Sequence, residues 1–393
     1  MDMWLKTKLR GDWQIWTIVI LLSLFSMLVV YSASSQLAYK YNDGNTEWPI
    51  LKHIFFICLG LYAIWFIHRL DYTIFSPISR IFLWITPLLI LYTFFFGVNI
   101  GGARRWINVF GVSFQTSDFV RLILITNLSA MLAKNINKEY NPRMLFSLIA
   151  WIGVICGMLA MTNFSTAVIL GLTCFIIMWI GRVPMRFLFR LTAVVFLFLS
   201  VAVAGSLYLQ KHNINIGRGK TVVYRIESFI DKDLDLDKQV GDPDRDDDYQ
   251  RNNAMAAIAS GGVTGIGAGH SAQRNYLPEA FSDYIYAILI EEYGLLGGIV
   301  VIVLYLWLLL RGLKNIEFTN RAFGGLLCVG LTFSIVFQAF GHILINVGLG
   351  PVTGQPLPFM SMGGTSFLFT SIAIGIVLSV TKKEHDEAKI LKK

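Results

Sequence analysis

The stretch Trp13-Gln14-Ile15-Trp16-Thr17-Ile18-Val19-Ile20-Leu21-Leu22-Ser23-Leu24-Phe25-Ser26-Met27-Leu28-Val29-Val30 decides the fold class. It follows Lys6, Lys8 and Arg10, as the core of a signal sequence does, and Ser32-Ala33-Ser34 resembles a small-residue cleavage site. The apolar run exceeds the roughly 7–15 residues of a signal core and approaches the roughly 20 that cross a bilayer. It therefore predicts an uncleaved first membrane helix. The rest of the chain agrees: 55% of residues are hydrophobic, 15% are charged, and the mean hydropathy is +0.60. A formal charge of +8 invites a nucleic-acid reading. The basic residues instead sit at the ends of apolar runs, which is a membrane-topology pattern and excludes nucleic acid as the partner.

Working outward, further apolar runs fall near 51–67, 80–96, 117–134, 144–160, 164–181, 187–209, 284–310, 322–345 and 365–381. The chain is thus expected to be an all-α polytopic bundle of about ten spans, forming one membrane domain over residues 1–393. The fifth and sixth spans are divided only at Thr162-Asn163. Lys6, Lys8, Arg10, Arg69, Arg80, Lys134, Arg143, Arg182, Arg186, Arg190, Arg311, Lys314 and the tail lysines all fall on one side of a ten-span bundle. That side, with both termini, is expected to be cytoplasmic. A long loop, 210–282, then lies outside. So does 346–364, which has no charged residue, is rich in Gly and Pro, and reads as a re-entrant segment buried against protein. Cys58, Cys156, Cys174 and Cys328 lie in apolar runs without ligand spacing and read as small buried hydrophobes.

Three outward segments carry candidate chemistry. In the first, Arg104-Arg105-Trp106 follows Gly101-Gly102, with Gln115 a little further on. Arginine forks suit phosphate oxygens; the same pair also suits snorkelling at a membrane edge. The second holds Ser260-Gly261-Gly262, Gly265, Gly267, Gly269 and His270, then Glu279 and Asp283. Its glycines resemble a nucleotide loop only weakly, because no strand precedes them. Asp283 opens the eighth span, where a carboxylate serves as a general base or as a helix cap. Glu291-Glu292 then lie inside the apolar run, where a carboxylate needs a polar partner or a cavity. Gln338 and His342 are the candidate partners. The third segment ends in Ser361, Gly363 and Gly364 at the start of the tenth span, where free N–H groups suit an anion. Asp231 to Asp248 form an acidic stretch, but Lys238 stands where a calcium loop needs glycine. No metal site is expected from protein ligands.

Taken in order, Tyr31-Ser32-Ala33-Ser34, Gly102 to Ile107, Tyr249-Gln250, the 260–269 glycines, Tyr276-Leu277-Pro278-Glu279 through Asp283, Glu291-Glu292-Tyr293-Gly294, and Pro356-Leu357-Pro358-Phe359 with Ser361 and Gly363-Gly364 resemble the SEDS family of shape, elongation, division and sporulation proteins (FtsW, RodA and SpoVE type). The resemblance covers nearly the whole chain. Tyr31-Ser32-Ala33-Ser34 looks more like the division branch, FtsW, than the elongation branch, RodA. Three stretches depart from the pattern. The family's Gln/Glu-Pro-Asp-Phe-Gly-Thr reads Met161 to Thr166, with Asn163 where the acid stands. Its His-Thr-Asp reads Phe281-Ser282-Asp283, and its Ser-Tyr-Gly-Gly reads Ser361-Met362-Gly363-Gly364.

The resemblance implies a peptidoglycan glycosyltransferase that polymerises lipid II at the outer face of the cytoplasmic membrane, at the division septum. It implies Asp283 as the catalytic base and Arg104, Arg105, Trp106, Gln115, His270, Glu279, Ser361, Gly363 and Gly364 as substrate-binding residues. Glu291 and Glu292 become polar groups within the membrane. Mg or Mn is the one cofactor in view. The expected partners are lipid II, membrane lipid, a class B penicillin-binding transpeptidase and other division proteins. A lipid II flippase, an elongation polymerase and a non-catalytic scaffold for the transpeptidase are the alternatives.

Overall fold

The computed structural model describes residues 11–34, 47–100, 103–109, 112–135, 140–193, 247–277, 279–317, 322–350 and 354–391. The helices are α1 (Trp13–Ala33), α2 (Glu47–Ile67), α3 (Phe75–Phe96), α4 (Thr116–Ala133), α5 (Pro142–Thr162), α6 (Phe164–Ile180), α7 (Asp247–Gly261), α8 (Ile285–Glu317), α9 (Ala322–Asn346) and α10 (Gly364–Leu391). Eight helices are long and apolar enough to cross a membrane, and α6 is a shorter apolar helix of 17 residues. The chain is a multi-pass helical membrane protein. The seventh expected span begins as a helix at 185 and is described to 193. The remainder of that span, the loop from 210 to 246 and most of the acidic stretch lie outside the described residues.

Local chemistry sets the helix ends. The Asp12 carboxylate caps α1 by accepting the Gln14 N–H at 2.9 Å. Asn141 caps α5, and Pro142 fills a first-turn position that needs no N–H. The chain does break at Thr162-Asn163. Asn163 leaves helical geometry (φ −151°, ψ 91°), and its side chain accepts the Thr166 N–H at 3.3 Å to start α6. A short polar side chain does this without charge, which accounts for an asparagine at that position.

Helices α4, α9 and α10 form the buried centre, whereas α2, α3 and α5 turn large apolar side chains outward. Helix α9 packs against α4, α6, α8 and α10. At the end of the bundle where α1 starts, Arg311 of α8 pairs with Asp12 at 2.6 Å, and the Asp12 N–H donates to Thr381 of α10 at 3.1 Å. The four cysteines are free. Cys58 is exposed on α2, contrary to the sequence expectation, because α2 lies on the rim.

Two features depart from the sequence reading. A three-stranded antiparallel sheet, β1 (Val98–Ile100), β2 (Ala103–Val109) and β3 (Val112–Gln115), joins α3 to α4 where no strand is expected. The expected span 284–310 is also interrupted. Gly294 has φ 71° and ψ −177°, which breaks α8. Tyr284 to Glu292 are buried all round, and outward apolar residues begin at Leu295 and Leu296. The part after Gly294 is about 34 Å long at about 1.5 Å per residue, enough to cross a hydrocarbon core of about 30 Å. The half-helix before it is enclosed by protein. Glu291 and Glu292 therefore sit at a helix break rather than midway along a lipid-facing span.

Candidate active site

The non-helical segment from Gly354 to Ser361 is buried from Gln355 onward, and its carbonyls need partners that water cannot supply. Side chains from several elements supply them one by one. The Gly354 carbonyl accepts from Arg105 Nη1 at 3.4 Å, Gln355 from His342 Nδ1 at 2.8 Å, and Pro356 from Gln338 Nε2 at 2.8 Å. The Pro358 carbonyl accepts from the Tyr305 hydroxyl, and Met360 accepts from Ser26 at 2.7 Å. Pro356 and Pro358 carry no N–H, so fewer donors remain to be satisfied.

Ser361 closes the segment. Its hydroxyl accepts the Leu357 N–H at 2.7 Å and donates to the Ser282 carbonyl at 2.6 Å. The Met362 N–H donates to the Phe281 carbonyl at 3.0 Å. This clasp lays the segment beside Asp283. On its other side, a turn presents Asp283: Glu279 takes φ 57°, and its carbonyl accepts the N–H groups of Ser282 and Asp283, both at 2.9 Å.

The result is a convergence. A methyl group built on Gly354, itself at φ 61°, would lie 2.5 Å from Arg105 Nη1 and 3.2 Å from Asp283 Oδ2. A guanidinium and a carboxylate thus meet over one glycine, though they are far apart in sequence. Only a residue without a side chain lets the guanidinium lie this close to the backbone.

The other expected site residues divide. Arg104 and Arg105 flank a shift in the β1–β2 register and make separate contacts, Arg105 with the Gly354 carbonyl and Arg104 elsewhere. Arg104 donates to the Phe95 carbonyl at 2.9 Å and is exposed. This contact anchors it to the end of α3. Trp106 pairs with Gln115 across the sheet. Gln115 is buried and donates to Ser117 at 3.0 Å. The exposed His270 has Nδ1 3.0 Å from the Ala268 carbonyl, a contact within its own turn. Gly363 donates its N–H to the Ser361 carbonyl at 2.8 Å, and Gly364 faces the Phe56 ring. The Gly363 N–H, which the sequence suggested as free for an anion, is thus used within the segment.

Glu291 and Glu292 find partners other than Gln338 and His342. Glu291 accepts from the Ser271 hydroxyl and from the N–H groups of Ala272 at 3.0 Å and Gln273 at 3.3 Å. Glu292 accepts from Ser32, whose hydroxyl also accepts from Arg274 at 2.8 Å. The glycines around them in sequence have a packing reason. A Cβ on Gly261 would strike the Ile290 carbonyl, one on Gly265 the Glu292 carbonyl, and one on Gly294 the Val263 carbonyl. The broken ladder of α8 is completed there: Ile266 and Gly267 donate to the Glu291 and Glu292 carbonyls at 3.0 and 3.1 Å.

Sequence reasoning missed Arg121. It lies buried in α4, pairs with Asp118 at 3.1 Å, and donates to Gln338. Asp118 and Arg121 stand three apart inside an apolar run, and that spacing is the signal that could have found them.

The chain belongs to the FtsW/RodA/SpoVE family of cell cycle proteins, whose model matches residues 12–386. Among curated relatives, it is 30% identical to the probable peptidoglycan glycosyltransferase FtsW of Bacillus subtilis, over 96% of this chain and 92% of that one. It is 28% identical to the protein of the same name from Coxiella burnetii, over 95% and 98%. It is 29% identical to stage V sporulation protein E of Bacillus subtilis, over 95% and 98%. Its fold matches a chain from a peptidoglycan synthase complex with a TM-score of 0.72 at 20% identity, and the rod shape determining protein RodA of Thermus thermophilus with 0.66 at 18%. Both matches cover 95% of this chain and 98% of the other.

Proposed function

We propose that this protein is a peptidoglycan glycosyltransferase that polymerises lipid II at the outer face of the cytoplasmic membrane, in septal wall synthesis. The observation that carries this reading is the meeting of Arg105 and Asp283 over Gly354. Asp283 takes the proton from the acceptor sugar 4-hydroxyl as its oxygen attacks the anomeric carbon of the growing strand. The bond from that carbon to the pyrophosphate breaks with inversion, and the electron pair leaves on the lipid pyrophosphate. Arg105 stabilises the charge that develops there with a fork of donors suited to phosphate.

Among the described residues, no three His, Cys, Asp or Glu side chains cluster as a metal site. Asp283 is a single carboxylate, which fits only a cation carried largely by the substrate's phosphates.

The relatives' names carry the substrate class, and the fold match to a synthase complex supports a class B penicillin-binding transpeptidase as partner, alongside other division proteins. The lysine and arginine asymmetry supports cytoplasmic termini. The test is polymerisation of purified lipid II by the chain with its transpeptidase. Wild type should make glycan, and Asp283→Asn and Asp283→Ala should lose at least about a hundredfold in rate while the complex stays assembled. Wild-type rates in both variants would remove Asp283 as the base and favour a scaffold or flippase.

A further inference from the structure

Gln338, His342 and Asn346 stand at intervals of four on α9, so they form one stripe along a single helix face. All three are buried, and each donates to backbone of the site. Gln338 Nε2 reaches the Pro356 carbonyl at 2.8 Å, and His342 Nδ1 reaches the Gln355 carbonyl at 2.8 Å. A carbonyl only accepts, so His342 carries its proton on Nδ1. Asn346 Nδ2 donates to the Asp283 carbonyl at 3.1 Å and to the His342 carbonyl at 2.9 Å. Its Oδ1 accepts the Ala287 N–H at 3.0 Å and so fixes the start of α8.

The stripe therefore grips both sides of the Arg105–Asp283 gap: the segment that carries Gly354, and Asp283 itself. Its far end is also fixed. Arg121 donates to Gln338 Oε1, and Asp118 holds Arg121 at 3.1 Å. The Gln338 amide thus cannot flip without giving two donors to each other and two acceptors to each other.

We propose that Gln338, His342 and Asn346 are positioning residues that set the separation of Arg105 and Asp283, with Asp118 and Arg121 locking the Gln338 amide in the productive orientation. This rests on the glycosyl-transfer reading above. A helix is stiff, so two groups referenced to one helix face keep their spacing while the surrounding spans move. A displacement of about 1 Å at a reacting centre costs up to about a hundredfold in rate.

Two near-isosteric variants delete the donor and keep the acceptor. Gln338→Glu still accepts from Arg121 but cannot donate to Pro356 as a carboxylate. Asn346→Asp still accepts from Ala287 but cannot donate to Asp283. The measurement is steady-state polymerisation of lipid II by the full chain with its transpeptidase, with thermal unfolding followed in parallel. Each variant should fold, lower kcat by about tenfold or more, and leave KM within about threefold. In a cycle with Arg105→Lys, adding Gln338→Glu should lower kcat by no more than about another twofold, because the geometry it protects is already lost. An unchanged kcat in the single variants, or losses that multiply in the cycle, would overturn the positioning role while leaving the enzyme reading intact. A wild type that makes no glycan, or an active Asp283→Asn, would sink the enzyme reading, and the proposal would fall with it.

Discussion

Residues 354–361 and residues 262–269 both run outside the helical ladder within a helix bundle, yet their polar groups find partners in opposite ways. The first stretch is gripped by side chains from α1, α8, α9 and the sheet, one carbonyl at a time. The second lies backbone against backbone on the break in α8, at distances that only glycine permits. Side-chain grips can be lost singly, each for about 0.5–1.5 kcal/mol, and the segment can be adjusted residue by residue. A backbone joint has no such gradation, because any Cβ forces the two chains apart. The adjustable stretch lies beside the proposed chemistry, and the rigid one holds the half-helix that follows Asp283.

The contrast breaks first at the glycine joint. Gly294→Ala and Gly265→Ala should prevent correct folding, since each new methyl meets backbone and each glycine has positive φ. The measure is yield of monodisperse protein in detergent, and near-normal yield would show that the joint yields. Next comes Glu291→Ala, which strips the N–H groups of Ala272 and Gln273 of their acceptor. A loss of about 3 kcal/mol is expected, read as a clear fall in the thermal midpoint. Tyr305→Phe removes one grip on the Pro358 carbonyl and should cost about 1 kcal/mol with polymerisation retained within a few-fold. Arg104→Ala should be smallest of all: a polymerisation rate within about twofold of wild type, against a loss of about a hundredfold or more for Arg105→Ala. Equal losses at the two arginines would contradict the different contacts that separate them.

The sequence made the bundle legible because a bilayer imposes a length and a charge rule that composition alone obeys. Even the least secure division, at Thr162-Asn163, is where the chain turns. The sheet was hidden because Ala103 to Val109 and Val112 to Gln115 are short and lie between long apolar runs that dominate any reading of the region. The break at Gly294 was hidden for a related reason: its flanks are apolar enough to read as one span. Asp283 and Arg105 were both legible as site candidates, but their meeting was not. It depends on Gly354, which carries no side chain to suggest a role. Arg104, Trp106 and Gln115 were grouped with Arg105 by sequence proximity, and the contacts each side chain makes depend on the irregular sheet that proximity does not show. The buried Asp118–Arg121 pair and the Asn346 contact with Asp283 depend on which faces of α4 and α9 turn inward. Those faces are hard to read from helices that are buried nearly all round.

The most direct test of the account is Gly354→Ala. The added methyl would enter the space between Arg105 Nη1 and Asp283 Oδ2, at a strain cost of about 1 kcal/mol from the positive φ. The variant should be produced and should bind its transpeptidase, with its thermal midpoint close to that of wild type. Its rate of lipid II polymerisation should fall by about a hundredfold or more. Polymerisation at the wild-type rate would mean that the chemistry does not occur between Arg105 and Asp283.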